Sequence, residues 1–220
     1  QYLIPWSAWY DDTNLKLSLP KHWKVKVVDV DKAHPLTNEA ITQALENPIG
    51  SPSLTNLIKG RQTVAIAVDD LTRPACVRPV IDALLTKLEK QGIDRDQIHI
   101  IFGVGAHGPI DHTDIVKKLG EEIATSVDVL CHDAMANLSE VVLENGKTVR
   151  INRLFVESEF KIVIGTVMPH LYAGYSGGAK MVLPGLAGMD AIEYIHKSAL
   201  MGFYGKLGQT EGNRFRKYIE

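Results

Sequence analysis

The sequence predicts an α/β fold: a Rossmann-like, mostly parallel sheet with helices on both faces, plus a peripheral N-terminal β element and a β-hairpin. The first observation is Thr63-Val64-Ala65-Ile66-Ala67-Val68, a continuous apolar run of the kind buried on both faces of a parallel sheet. The second is that Ile98-His99-Ile100-Ile101-Phe102 and Lys161-Ile162-Val163-Ile164 read as further strands of that sheet. The third is that segments of helical period separate such runs, and strand–helix alternation places strands in parallel with their faces covered.

In chain order, residues 1–35 alternate short extended pieces with turns. Asn14 to Pro20 has period-two alternation, and Trp23 to Val30 follows in the same style, so the pair reads as a peripheral hairpin. Asn38 precedes a helical pattern through Ala40, Ile41, Ala44 and Leu45; Pro48-Ile49-Gly50-Ser51-Pro52 breaks it before a short helix from Ser53 to Leu57. The strand at 63–68 ends in Asp69-Asp70-Leu71-Thr72-Arg73-Pro74. A helix with apolar positions Val77, Val80, Ile81, Leu84, Leu85 and Leu88 comes next and closes at Gly92. The strand at 98–102 ends in Gly103-Val104-Gly105-Ala106-His107-Gly108-Pro109. Thr113 to Ile123 is helical, Val127 to Leu130 is strand-like, and Val141 to Ile151 is a hairpin with Asn145-Gly146 as a type I′ turn. After the apolar run at 161–164, read as an internal buried strand, comes the glycine-rich loop Gly165 to Met181. Ala191 to Leu200 is a helix carrying His196. Thr210 to Glu220 has a helix start without a stop signal, so the chain reads as residues 1–220 of a larger two-domain protein whose C-terminal domain is absent.

Composition narrows the functional classes. The 220 residues and 24.3 kDa suffice for a full core. A formal net charge of −2 without a Lys/Arg cluster argues against nucleic-acid binding. No apolar run approaches the roughly 20 residues that a membrane helix needs. No signal peptide is visible at Gln1 to Trp6, and Cys76 and Cys131 lack the spacing of a zinc site or disulfide framework; a cytoplasmic location is expected.

The chemistry concentrates in three loops that follow strands: Asp69 to Pro74, Gly103 to Gly108, and Gly165 to Met181. In a parallel sheet all three emerge at the carboxyl edge and can converge. The first suits a phosphate, with backbone N–H groups, a hydroxyl and Arg73 at a helix start; the alternative is that Asp70 or Thr72 caps that helix with Pro74 at its first position. The second fits G-x-G-x-x-G, and Asp128 stands near the ~20-residue distance of a ribose-binding acid. Pro109 and Asp111 delay the helix, however, and His107 is bulky for pyrophosphate approach. His107 is better placed as an acid/base, or else as a structural histidine. The third superficially resembles a P-loop but lacks its spacing and the hydroxyl after the lysine. Lys180 is a candidate for covalent attachment of a cofactor, the alternative being a solvated amine. Tyr172 and Tyr175 are expected on the pocket wall. His196 has no second histidine or cysteine at ligand spacing, so an all-protein metal site is not indicated. Cys131-His132-Asp133 is not a triad, and His22, His34, His99 and His112 carry no signal.

Taken together, Asp70-Leu71-Thr72-Arg73-Pro74, Gly105-Ala106-His107, Met168-Pro169-His170, Ser176-Gly177-Gly178-Ala179-Lys180, Leu183-Pro184-Gly185, His196 and Thr210-Glu211-Gly212-Asn213 resemble the lactate racemase family of nickel-pincer-nucleotide enzymes. The resemblance implies an isomerase, a racemase or epimerase of 2-hydroxy acids. It implies a nickel-pincer nucleotide tethered at Lys180, with His196 as a nickel ligand and Asp70, Leu71, Thr72 and Arg73 holding the nucleotide. His107 and His170 would be paired acid/base residues, acting while the Cα hydride moves to the cofactor and back. Cofactor biosynthesis enzymes would be partners. Gly108 stands where many members carry an arginine, which leaves the substrate range open. A chain lacking the second domain is expected to be inactive, and whether it carries the cofactor is left open. Two other functions remain open: an NAD-dependent dehydrogenase using Gly103 to Gly108, and a non-catalytic cofactor-binding module.

Overall fold

Four parallel strands form the centre of the chain, in the order Asp128–Cys131 (β5), Ile98–Phe102 (β4), Val64–Val68 (β3) and Phe160–Ile164 (β8) across the sheet. A computed structural model describes residues 1–5, 14–28, 34–144, 146–200 and 205–220. Strands β1 (Tyr2–Pro5) and β2 (Asn14–Leu17) pair antiparallel at the periphery. Helices α1 (Asn38–Glu46) and α2 (Leu54–Ile58) lead to β3 (Val64–Val68). Then follow α3 (Arg78–Glu89), β4 (Ile98–Phe102), α4 (His112–Leu119), α5 (Glu121–Ser126) and β5 (Asp128–Cys131). An antiparallel pair, β6 (Leu138–Val142) and β7 (Thr148–Asn152), runs into α6 (Arg153–Glu157) and β8 (Phe160–Ile164). The two-residue ribbon β9 (Pro169–His170) and β10 (Gly174–Tyr175) precedes α7 (Met189–Leu200) and α8 (Arg214–Ile219).

Strand β3 has no exposed residue, and its alternation divides the core between two faces. Val64, Ile66 and Val68 pack with Ile81, Leu85 and Leu88 of α3 and with Ile100 and Phe102 of β4. Ala65 and Ala67 face Phe155 of α6 and Ile192 and Ile195 of α7. In register, Val68 pairs with Phe102 on one side and Ile164 on the other. The three strands therefore end at one level, and their following loops emerge side by side. The chain leaves β3 toward β4 on one flank and returns to β8 on the other, so the crevice between them is a topological switch point.

The expected architecture is present, with local differences. The N-terminal hairpin pairs Asn14–Leu17 with Tyr2–Pro5, while residues 23–28 form no strand and residues 29 and 30 lie outside the described residues. Leu3 and Ile4 do not alternate with polar residues, which hid the true pairing strand. Thr37, not Asn38, caps α1, its hydroxyl accepting the Ala40 N–H. The helix expected over 113–123 is two helices, broken at Gly120, whose φ of 86° ends α4 and starts α5. A side chain at Gly120 would meet the Arg78 guanidinium at 2.9 Å. Strand β8 is an edge strand with Lys161 and Val163 exposed, not an internal one, because nothing pairs beyond it among the described residues. The hairpin at β6–β7 forms as expected, though Asn145 of its turn lies outside the described residues.

Candidate active site

The loops after β3, β4 and β8 enclose a cleft of about 240 Å³, floored by Met181 and Ile192. Asp70, Thr72, Arg73, His107, His170, Lys180 and His196 all line it. Leu71 does not. The convergence expected from a parallel sheet is thus realised for seven of the eight predicted site residues, although they span 127 positions from Asp70 to His196.

Adjacent carboxylates at the end of β3 do different work. Asp69 turns into the protein, accepting from Lys118 Nζ at 2.8 Å and from the Thr166 amide and hydroxyl at 2.8 and 2.7 Å. Lys118 is wholly buried in α4 and also donates to the Asp70 and Arg73 carbonyls. This brace joins α4 to the loops after β3 and β8. Asp70 turns toward the cleft: one oxygen accepts from the Thr72 amide and hydroxyl, and the other lies 3.1 Å from His107 Nδ1. Burial alone would raise the Asp70 carboxyl, but the hydrogen bonds from Thr72 and His107 outweigh it and hold it below its ordinary value. The capping alternative fails, because α3 starts only at Arg78 and takes no side-chain cap. By the same measure the 69–74 loop is not a helix N-terminus.

His107 sits in the turn after β4, its side chain well exposed. That turn is held by Gly105 N donating to the Gly185 carbonyl at 2.9 Å. Gly185 itself is packed on the 3₁₀ turn before it: a Cβ there would lie 2.2 Å from the Met181 carbonyl oxygen. The G-x-G-x-x-G reading loses its geometry here. Helix α4 begins at His112, beyond the glycines, and Asp128 stands at the amino end of β5, away from the loop at the carboxyl end of β4, engaged with His99 Nδ1 at 2.9 Å.

His170, on β9, receives the Tyr172 and Ala173 amides at Nδ1, at 3.2 and 3.1 Å. Burial, then the positive charges of Lys180, Arg73 and His196, lower its pKa to about 4. Lys180 lies on a 3₁₀ turn after Gly177 and is not a solvated amine. Burial, reinforced by Arg73 and opposed by Asp70, lowers it to about 8. Ser176 is buried between the Thr166 carbonyl and the Met168 amide, at 2.5 and 3.0 Å, and closes the loop on itself. His196 on α7 donates from Nδ1 to the Ile192 carbonyl at 2.7 Å, which leaves Nε2 as an acceptor facing the cleft. Tyr172 and Tyr175 do not line the cleft, contrary to expectation. Tyr172 packs on Phe215 with ring centroids 6.0 Å apart, and the Tyr175 hydroxyl lies near Gly208.

Lys180 gives a pH-dependent prediction. An amine lowered to about 8 is mostly neutral above that pH and protonated below it, whereas an ordinary lysine needs pH ~10.4. Labelling with a small amine-selective reagent, followed by peptide mapping, is expected to give a Lys180 rate that is half-maximal near pH 8. A profile matching the surface lysines would contradict this.

The residues that sequence reasoning missed are Asp69, Lys118, Thr166 and Ser176. The doubled aspartate was a signal for Asp69, and the position of Ser176 among glycines was one for it. Lys118 gave none, since a lysine in an amphipathic helix reads as solvated.

Residues 10–204 match the family model described as the lactate racemase N-terminal domain. The chain is 31% identical over 179 residues to the lactate racemase of Thermoanaerobacterium thermosaccharolyticum, covering 80% of this chain and 42% of that protein. It is 34% identical over 161 residues to the lactate racemase of Lactiplantibacillus plantarum, covering 72% and 38%. Among solved structures, the lactate racemase apoprotein from T. thermosaccharolyticum superposes with a TM-score of 0.76 at 29% identity, covering 83% of this chain and 44% of that one. A protein from Thermotoga maritima superposes at 0.67 with 25% identity, covering 84% and 46%. The chain thus spans about two fifths of the length of the curated relatives it matches.

Proposed function

This chain belongs to the lactate racemase N-terminal domain family, and from that premise we propose that it is the cofactor-binding and catalytic domain of a larger racemase or epimerase of 2-hydroxy acids. The observation that supports this most directly is the shared cleft: two imidazoles on separate loops, a reactive amine and a third imidazole with a free Nε2. In this reading the cofactor is a nickel-pincer nucleotide, which when bound accepts and returns the Cα hydride.

The donor set suits such a group. Among the described residues no three His, Cys, Asp or Glu side chains are grouped to hold a metal. A nickel ion held there would need ligands from outside the chain, as a soft-donor pincer would supply, with His196 Nε2 as one more. Lys180, with its pKa lowered to about 8, offers more of the neutral amine that a covalent tether needs than an ordinary lysine does at the same pH. Thr72 and Arg73 face the same space and would hold the nucleotide's phosphate and ribose, whereas Leu71 lies off the cleft. His107, backed by Asp70, takes the hydroxyl proton of the substrate. Arg73 is also placed to bind the substrate carboxylate.

Intact mass spectrometry of the chain co-produced with the cofactor's biosynthetic enzymes tests this. The expected result is a covalent adduct on Lys180 with nickel bound, and no racemase turnover by the chain alone. An unmodified mass under those conditions would overturn the reading. Appreciable turnover by this polypeptide would refute the expectation that it needs a second domain.

A further inference from the structure

We infer that Asn213 is a positioning residue for the proposed reaction. Its buried carboxamide fastens the 205–216 segment as a strap across the β9–β10 ribbon, and that strap holds the loop that presents His170 and Lys180 to the cleft. The inference rests on the racemase reading only for what those two side chains act upon; the strap itself rests on hydrogen bonds and packing.

The ribbon does not hold itself. It consists of two residue pairs, His170 with Gly174 and Pro169 with Tyr175, and a two-stranded ribbon in water is marginal even when longer. Three carbonyls of its turn are engaged from outside, all by the one segment. Asn213 Nδ2 donates to the Tyr172 carbonyl at 2.8 Å, the Gly208 amide to that of Gly174 at 2.9 Å, and Arg216 Nη1 to that of Tyr175 at 3.2 Å. Main chain lies directly on main chain. A Cβ at Gly174 would fall 2.2 Å from the Gln209 carbonyl oxygen, and one at Gly205 would fall 1.7 Å from that of Tyr172.

Asn213 is where these contacts meet. It is 4% exposed, and its carboxamide satisfies three main-chain groups. Oδ1 accepts the Arg216 amide at 2.9 Å and so caps α8, while Nδ2 donates to the Gln209 carbonyl at 2.9 Å as well as to that of Tyr172. Capping alone would be served equally by serine or aspartate. Of the residues that cap well, asparagine alone adds two N–H donors to its capping oxygen. The identity of residue 213 therefore answers to the ribbon and the strap, not to α8.

Both functional side chains of this loop are tied to the strapped turn. His170 is one of the paired residues of the ribbon, and the chain runs from Tyr175 through Ser176 and Gly177 into the 3₁₀ turn that carries Lys180. Without the strap, the carbonyls of Tyr172 and Gln209 lose their buried donor, and only the two ribbon pairs and the Ser176 closure restrain the turn. The loop then opens to water, and Lys180 loses the enclosure that the cleft gives it.

Two substitutions keep the cap and remove the paired donors: Asn213→Ser adds no charge, and Asn213→Asp conserves volume. In both, amide hydrogen exchange over 171–176 is expected to quicken about 10-fold or more, as the loss of two buried hydrogen bonds implies, with exchange over 64–68 unchanged. The pH of half-maximal Lys180 labelling should rise from about 8 toward the ordinary ~10.4, because Lys180 loses burial while Arg73 and Asp70 stay in place. An asparagine that only capped α8 would lower the unfolding midpoint and leave that profile alone. An unchanged profile in the serine variant, or a shift confined to the aspartate variant, where the new charge explains it, would overturn the inference. Should neither variant fold, exchange in the unaltered chain decides: 171–176 and 206–213 are expected to open as one unit, and a ribbon that opens while the Gly208 amide stays protected would refute the strap. None of these readouts involves cofactor or turnover, so a strap that behaves as expected in a chain that takes up no adduct would sink the racemase reading and leave this one standing.

Discussion

Lys180→Arg is expected to abolish covalent loading entirely, whereas His196→Ala is expected to keep the adduct and lose the nickel. Arginine preserves charge and approximate reach, but a guanidinium stays protonated at any workable pH and cannot supply the neutral nitrogen that forms the tether. Lys180 can, because burial in the cleft and the nearby Arg73 charge bring its amine to about 8. His196 contributes differently. Its Nδ1 proton is committed to the Ile192 carbonyl, so its only free donor atom is Nε2, and alanine removes it without disturbing the loop that carries Lys180. Nickel retention should fall by at least the ~10–100-fold that even outer-shell changes cost a metal site. Intact mass and metal content measured on the same preparations separate the two roles. An adduct of unchanged mass on the arginine variant, or full nickel in the alanine variant, would show that these residues do not divide the work this way.

How far the sequence reached follows from what each kind of residue reveals about its surroundings. Strands β3 and β4 were legible because an uninterrupted apolar run has few other uses, and their carboxyl ends located the loops. Strand β8 was located as well, but its place at the sheet edge was not, because strand order is a long-range property that local pattern does not encode. The break at Gly120 was missed because glycine within a helical pattern reads equally as a tolerated interior residue. Asp69 and Asp70 looked alike on paper. Successive side chains leave a strand end in opposite directions, so one meets Lys118 in the interior and the other meets His107 in the cleft. The tyrosines misled for a related reason: residues in a glycine-rich loop can turn to either side, and Tyr172 found Phe215 of α8, a neighbour distant in sequence.

The residue that the sequence hid most completely carries the largest expected effect on stability. Lys118→Met should destabilise the chain by about 3–5 kcal/mol, the usual cost of stranding one half of a buried ion pair. Methionine fills the volume left in α4, so lost packing is a minor part. What remains is the Asp69 carboxylate, almost fully enclosed, with the Thr166 amide and hydroxyl as its remaining donors. At roughly 2–4 °C per kcal/mol for a chain of this size, the midpoint of thermal unfolding should fall by ~6–20 °C. Removing the charge from both sides in Lys118→Met/Asp69→Asn should recover part of that loss, since the uncompensated charge is gone, and the double-mutant cycle gives the coupling. A surface-like response, below ~1 kcal/mol and additive between the two sites, would mean that the pair is solvated and braces nothing. The brace matters to chemistry because Lys118 also holds the Asp70 and Arg73 carbonyls, while Asp69 holds Thr166. One buried ammonium therefore fixes the spacing between the loop that backs His107 and the loop that presents Lys180. Slower or lost Lys180 labelling near pH 8 in the folded double variant would trace that spacing to the pair rather than to the sheet beneath it.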